Sequence, residues 1–454
     1  MTESTNSPPT TYARRIGLFS ATMLVVGGII GSGIFLNPAI VAQRVGSGRL
    51  IILAWALGAG IALLGAFIFA ELGARKPAAG GGYVYLRDAF GPLPAFLYGW
   101  ALLLAIASGA AAAVAVTFAN YAAPLLHLPA GAEPWLAALA IVLLSLVNMF
   151  GVRPGAWTQN LFTLLKLAAI AALVLGAVIG GRAAAPAVCT ACSAPASAGG
   201  VIVAVGTALV PVLFAYGGWQ QTNFVAEEMV NARRDLPRAL VIGVILVAVV
   251  YLAANFTYLR ALGVAGLATS RAPAADVMGA LAGTTGRRLI AAGIAVSTFG
   301  FLNLVILVTP RVYQAMARDG LFFARFAELH PRSRAPVAAI GAQGVWAIVL
   351  LVSGSYGQLL DWVTFADWIF FGTIAATLFV YRRREPAASY RTPFFPWTVL
   401  LFVAASVYVV AGAVVSNPAN ALRGALVLAA GVPVHLYWSR RRARRAVPGT
   451  QPVV

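Results

Sequence analysis

The chain has 454 residues, of which 61% are hydrophobic and only 10% charged, and its net charge is +19 at neutral pH. This composition excludes a soluble globular protein of ordinary type and indicates a polytopic membrane protein. The basic residues are scattered through short polar segments, which favours lipid contact and insertion topology over nucleic-acid binding. We therefore expect membrane lipid, and no nucleic acid, among the partners.

Apolar runs separated by polar or Gly/Pro-rich breaks predict an all-α membrane protein with twelve transmembrane helices. The predicted spans are 17–43, 50–73, 93–122, 135–151, 158–181, 201–229, 238–260, 288–314, 335–354, 361–381, 394–416 and 420–438. Segments on the N-terminal side of the membrane hold most of the arginines. This asymmetry predicts that both termini are cytoplasmic, in the cytoplasmic (inner) membrane of a cell.

The first span, 17–43, has Gly27, Gly28, Gly31 and Gly33 at its centre, and two interpretations fit them. Either the helix is interrupted there, or Gly27-xxx-Gly31 is a small-residue packing face. In hydrocarbon an interruption is tolerated where the freed backbone groups line a polar cavity or hold a ligand. The two half-helices would present opposite partial charges, which match those of an α-amino acid zwitterion.

Lys166 lies in the fifth span, about 8 residues or ~12 Å from its start. A lysine near the bilayer centre costs ~2.5–3.5 kcal/mol on insertion scales, so it requires a partner. It is either a functional group or a structural lysine bonded to a buried carbonyl.

Cys189 and Cys192, the two cysteines of the chain, lie in the polar loop before the sixth span. No second CxxC pair and no histidine cluster accompanies them, so we expect a loop disulfide or two idle thiols, and neither a metal site nor a cofactor.

The sixth span, 201–229, repeats the peculiarity of the first, because Pro211, Gly217 and Gly218 lie near its centre and predict a second interruption. Spans five apart run in opposite directions, as in an inverted repeat whose substrate site lies at the repeat interface. The corresponding units are a tail at 1–16, repeats at 17–181 and 201–381, two additional helices at 394–438 and a basic tail at 439–454.

Several stretches resemble the amino acid–polyamine–organocation transporters, and among them the L-type amino acid transporters and their bacterial relatives. The stretches are Gly31-Ser32-Gly33-Ile34-Phe35, Phe214 to Trp219, Asn223 to Glu228, Pro77 to Gly91, Asn231 to Pro237 and Thr309 to Pro336. The resemblance implies the LeuT-type fold of five-plus-five inverted repeats, with discontinuous first and sixth helices, and transport by alternating access.

The resemblance also implies that backbone N–H groups of the first span hold the substrate carboxylate and that carbonyls of both interruptions hold its amino group. The implied substrate-binding residues are Ile30, Gly31, Ser32, Gly33, Ile34, Phe214, Ala215, Tyr216 and Gly217. Phe214 matches the aromatic gate of these transporters, the alternative being an ordinary lipid- or helix-facing side chain.

In sodium-independent members a fifth-span lysine takes the place of the cation that braces the broken helix in sodium-coupled members, and Lys166 matches it. We therefore expect no sodium requirement and hydrogen bonds from Lys166 to carbonyls between Gly27 and Gly31, with proton transfer as a further role.

There are three further candidates, of which the first two have a structural alternative. Tyr258 either contacts the first span or is interfacial, Ser297 either contacts the ligand or packs helices, and Asp367 is an outer-gate residue or a counterpart of Lys166. At the end of the sixth span, Glu227 and Glu228 are expected to pair with Arg233 and Arg234.

The expected function is sodium-independent transport of neutral L-amino acids, in exchange for another amino acid or coupled to protons. A cationic substrate would require an acid at the site, and Glu227 and Asp367 are expected to lie too far along their helices. Neither HExxH nor GxSxG occurs, which disfavours an enzyme, and two broken repeats favour a carrier over a channel. Animal members use a disulfide-linked accessory chain, which we do not expect because all cysteine lies in the 189–192 loop.

Overall fold

The computed structural model describes residues 11–179, 197–353, 356–416 and 418–445, and these ranges are almost entirely helical. In chain order the helices are α1 (Leu18–Ile29), α2 (Gly33–Val45), α3 (Gly48–Arg75), α4 (Gly82–Phe90), α5 (Pro92–Leu125, with a π-helical turn at Leu102–Ile106), α6 (Glu133–Met149), α7 (Val152–Ile179), α8 (Ala198–Ala215), α9 (Ala232–Thr269), α10 (Pro273–Val308), α11 (Pro310–Arg318), α12 (Val337–Ser353), α13 (Tyr356–Arg384), α14 (Trp397–Ser416) and α15 (Pro418–Arg445), with 3-10 helices at Trp219–Glu228 and Ala324–Ala327. The Cys189–Cys192 pair falls outside the described residues.

The length and apolar character of the helices fit a membrane protein. Within the described ranges, eight helices are long and apolar enough to cross a bilayer, or nine if α1 and α2 count as one bent span. The helices α6 and α12 are apolar but shorter. The all-α prediction is confirmed, whereas the number of twelve crossings stays a prediction.

The first predicted interruption is present, because α1 and α2 meet at a bend of 42°. Gly27 and Gly28 are not at this break but inside α1, where they allow close packing. A Cβ on Gly27 would come within 2.1 Å of Gln159 Nε2, and a Cβ on Gly28 within 2.9 Å of the Gly218 carbonyl oxygen. Both interpretations therefore hold. The helix is interrupted after α1, and Gly27 and Gly28 allow close packing within α1.

The second interruption lies at Tyr216–Gly218, between α8 and the 3-10 helix 219–228. Gly218 has φ of +107°, a left-handed conformation that favours glycine. Pro211, by contrast, lies inside α8 and does not end it. Proline cannot donate to the carbonyl four residues earlier, and Arg44 donates to that carbonyl, on Thr207, instead.

The two interrupted helices lie against each other. The N-terminal half of the first, α1, packs on the 3-10 helix that ends the second, while α2 packs on α8. The backbone N–H groups of Arg15 and Ile16 also donate to the Glu228 carbonyl, at 2.8 and 3.0 Å. This is the pairing expected of two helices that run in opposite directions.

A buried ion pair lies at the end of this helix pair, and it differs from the predicted one. Arg311 of α11 donates to the Glu228 carboxylate at 2.7 Å, and both side chains are at most 2% exposed. The predicted partners Arg233 and Arg234 are exposed on the first turn of α9, because the chain reverses at residues 229–231. The pairing of Glu227 and Glu228 with these arginines was therefore wrong.

The two described ends of the chain lie on the same face of the molecule. The ring of Tyr12 lies 5.8 Å from the Arg311 guanidinium, and Arg334 donates to the Thr11 carbonyl at 3.3 Å. Near the other end, the Trp438 ring lies 5.2 Å from Phe323.

Removing one member of the buried pair should destabilise the protein strongly. We expect Arg311→Met to lower the free energy of unfolding by about 3–5 kcal/mol, because it leaves the Glu228 carboxylate buried without its cation. The measurement is the thermal unfolding midpoint of purified protein in detergent. Arg318→Met is the matched control, since Arg318 is half-exposed and 3.6 Å from Glu227. Equal midpoints for the two variants would contradict this account.

Candidate functional site

A cavity of about 130 Å³ lies where the two interruptions meet. The first interruption contributes Gly31, Ser32 and Gly33 to its wall. The second contributes Phe214, Ala215 and Gly217. The rest of the wall is mostly apolar and comes from α5, α10 and α13.

The backbone at the first interruption offers hydrogen-bond donors to this cavity. Because α2 begins at Gly33, the N–H groups of its first turn have no carbonyl of the same helix to bond. They also form the positive end of the α2 dipole, which attracts an anionic group such as a carboxylate. Gly31, Ser32 and Gly33 carry no bulky side chain that would cover this backbone.

The carbonyls that end α1 are held by side chains from three other helices. Lys166 Nζ donates to Gly27 O at 3.1 Å and to Ile30 O at 2.7 Å. Ser297 Oγ donates to the same Ile30 oxygen at 3.2 Å. Tyr251 Oη lies 3.0 Å from Ile29 O. The negative end of α1 is therefore stabilised from inside the protein.

Lys166 has the hydrogen bonds that the sequence predicted. Its side chain is fully buried on α7, and within the described part of the chain its partners are carbonyls and not a carboxylate. A Cβ on Gly300 would lie 3.5 Å from Lys166 Cε, so α10 closes over the lysine. The predicted role of Lys166 in coupling stays a prediction.

The other predicted site residues fall into two groups. Those that line the cavity are Gly31, Ser32, Gly33, Phe214, Ala215, Gly217 and Asp367. Those that surround the interruptions without lining the cavity are Ile30, Ile34, Tyr216, Tyr258, Ser297 and Lys166. Phe214 is 42% exposed within the cavity, and its role as a gate stays a prediction.

Tyr251 is a site residue that the sequence reasoning missed. Its hydroxyl lies 3.0 Å from Ile29 O and 3.2 Å from Ala215 O, so one side chain of α9 reaches both interruptions. Tyr258 donates to Ile34 O at 3.3 Å from the same face of α9, two helical turns further on. The seven-residue spacing between Tyr251 and Tyr258 could have revealed Tyr251. It places both hydroxyls on the same face of α9, the face on which Tyr258 was expected to contact the first span.

The third and tenth spans also contribute side chains that the sequence reasoning had not placed. Tyr98 of α5 and Trp368 of α13 line the cavity, as do Gln220 and Phe301. Asp367 lines it as well, so the expectation that it would lie too far along its helix is wrong. The cavity extends beyond the broken segments because α13 packs against the π-helical turn of α5.

An all-α chain with two interrupted helices around a central cavity belongs to the polytopic membrane transport proteins. The family model for amino acid permeases matches residues 16–432, and the chain belongs to that family. It is therefore an integral membrane protein that transports amino acids and not an enzyme.

Curated relatives span nearly all of the chain. A serine/threonine exchanger of Bacillus subtilis, SteT, is 31% identical over 95% of this chain and 98% of its own length. The human large neutral amino acids transporter small subunit 2 is 32% identical over 94% of this chain and 81% of its own length. The mouse b(0,+)-type amino acid transporter 1 is 30% identical over 92% of this chain and 86% of its own length.

Gly218 is the position where the close approach of the two interruptions can be tested. In Gly218→Ala the new Cβ would lie 2.1 Å from Gly28 O, at a backbone φ of +107°. We expect a loss of about 1–3 kcal/mol from the backbone conformation alone, with the clash added to it. The check is the thermal unfolding midpoint in detergent.

The matched control is Gly60→Ala in α3, where a Cβ would meet nothing within 4 Å. If Gly218→Ala unfolds at the same temperature as Gly60→Ala, the two interruptions do not pack as closely as described.

Proposed function

We propose that this protein carries neutral L-amino acids across the cytoplasmic membrane without sodium, by alternating access, as an exchanger. The observation that supports this most directly is the pair of backbone N–H groups of Ser32 and Gly33, which have no acceptor among the described residues and lie beside the second interruption in one cavity. The first-turn N–H groups of α2 bind the substrate carboxylate. Carbonyls of the interrupted segments bind its amino group.

We propose twelve crossings arranged as two inverted five-helix repeats, at 17–181 and 201–381, followed by two additional helices at 394–438. Reciprocal packing supports this arrangement. If spans one to five correspond to spans six to ten, each neighbour pair should have a counterpart. The contact of α1 with α9 corresponds to that of α8 with α3, and the contact of α7 with α10 to that of α13 with α5. The contacts of α6 with α10 and of α12 with α5 form a third such pair.

Independence from sodium follows from the position of Lys166. Its ammonium group lies 3.1 and 2.7 Å from carbonyl oxygens of the first interruption, where a bound cation would otherwise neutralise the end of α1. A covalently attached ammonium group makes a separate metal cation unnecessary.

The role of Phe214 is to cover the bound substrate.

The mostly apolar wall favours neutral side chains. The names of two relatives, a serine/threonine exchanger and a large neutral amino acids transporter, agree with neutral substrates and with exchange. The second candidate is proton-coupled uptake, which the partly buried Asp367 in the cavity favours.

We place both termini in the cytoplasm, because the segments on their side of the membrane carry most of the arginines. We also propose that no accessory subunit is required. The human relative is by its name a small subunit. In this chain both cysteines lie at 189–192, which leaves the rest of the sequence without a cysteine for a disulfide to a partner.

Exchange can be distinguished from proton coupling with purified protein in liposomes. We expect uptake of labelled leucine to be faster into vesicles preloaded with unlabelled serine than into empty ones, and unchanged when choline replaces sodium. Proton-coupled uptake would instead fill empty vesicles under an inward acid gradient. Uptake of arginine or lysine by vesicles that ignore alanine, serine and leucine would refute the proposal.

Replacing the buried ammonium tests its contribution to transport. Lys166→Met keeps the length of the side chain but leaves the Gly27 and Ile30 carbonyls without the donor. We expect leucine exchange to fall about tenfold or more, while the unfolding midpoint changes little, because removing a buried charge offsets the lost hydrogen bonds. Wild-type exchange kinetics in this variant would remove the lysine from the mechanism. The control is Lys76→Met, which removes the cation of a half-exposed ion pair with Glu385.

A further inference from the structure

Asp367 is an acid in the wall of the cavity for which the proposed exchange mechanism has no use. Apart from the phenol of Tyr98, it is the one ionisable side chain among the described residues that line the cavity. Its side chain is partly buried on α13. Within the described ranges, its carboxylate has no hydrogen bond or ion pair, in contrast to Glu71 and Glu228, which each pair with arginine.

The charges around the cavity do not balance without a cationic ligand group. The backbone dipoles of the interruptions match the two opposite charges of a zwitterion, so they leave no net charge. Lys166, the nearby base, is bonded to carbonyls and does not line the cavity. A carboxylate inside a membrane protein is costly unless it is paired or takes up a proton, and a cationic group on the ligand would supply the partner.

The surroundings of Asp367 suit an ammonium group. Tyr98, Trp368 and Phe371 line the same cavity, and the rings of Trp368 and Phe371 lie 5.5 Å apart on α13. Aromatic faces attract cations through their quadrupole, most strongly where water is excluded. A carboxylate among aromatic rings therefore recognises a cationic side chain better than a neutral one.

We infer that the cavity also accepts amino acids with a cationic side chain, such as lysine, and that Asp367 pairs with the side-chain ammonium. This inference rests on the proposed function, because the α-amino and α-carboxylate groups of lysine must be held at the interruptions. Neutral substrates occupy the same backbone sites without reaching the acid. Asp367 is then a residue that determines specificity, on a different span from those that bind the zwitterion.

The test compares lysine with norleucine, a neutral amino acid with a similar unbranched side chain. In liposomes that contain the purified protein, each compound competes with labelled leucine, and the readout is the ratio of the two inhibition constants. Because both inhibition constants are measured on the same preparation, a general loss of folding or translocation does not change their ratio. We expect Asp367→Asn to shift the ratio about tenfold or more towards norleucine. The control Asp276→Asn removes an exposed acid from the start of α10 and should leave the ratio unchanged.

Three outcomes would overturn the inference. Lysine that fails to compete with leucine in the wild-type protein would exclude cationic substrates. A ratio in Asp367→Asn equal to that of the wild type would remove Asp367 from specificity. If that unchanged ratio came with a lost pH dependence of leucine uptake, the acid would be a proton site instead. The absence of saturable leucine uptake in the wild type would refute the proposed function itself, which distinguishes the two failures.

Discussion

Backbone groups freed inside a membrane protein must find partners, and this constraint explains how the centre of the molecule is built. The end of α1 exposes carbonyls, and Lys166, Ser297 and Tyr251 donate to them from three different helices. Tyr258 adds a donor to Ile34 on the far side of the break. Among the described residues, the N–H groups of Ser32 and Gly33 at the start of α2 have no comparable set of acceptors, and both residues line the cavity. This asymmetry between the two halves is the basis of the carboxylate site proposed above.

This arrangement ties the interrupted pair to the helices around it. Because Tyr251 reaches carbonyls of both interruptions, a movement of one relative to the other changes its hydrogen bonds. At the Glu228 end the pair is held by backbone hydrogen bonds from Arg15 and Ile16 and by Arg311 of α11. Alternating access, as proposed, must break contacts at this end.

The sequence predicted features that depend on local chemistry and missed those that depend on distant packing. The four glycines left an interruption and a packing face open, and the resemblance to the transporter family implied the hydrogen bonds of Lys166. Pro211 was misleading, because Arg44, 167 positions earlier, satisfies the carbonyl that it frees. The partner of Glu228 could not be found either, since Arg311 is 83 residues away and nearer arginines were available. Asp367 was misplaced because depth along a helix does not tell which cavity that helix borders.

The division of labour inside the cavity follows from these placements. Backbone groups at the interruptions present the same dipoles whatever their side chains are, so they suit the α-amino and α-carboxylate groups that all amino acids share. Tyr98, Phe301 and Asp367 lie on α5, α10 and α13, outside the interrupted helices. Their side chains can change without altering the backbone that holds the zwitterion. If Asp367 determines specificity as inferred above, a substitution there changes which side chain is accepted while the interrupted helices keep their conformation, so that specificity is separable from the common binding chemistry.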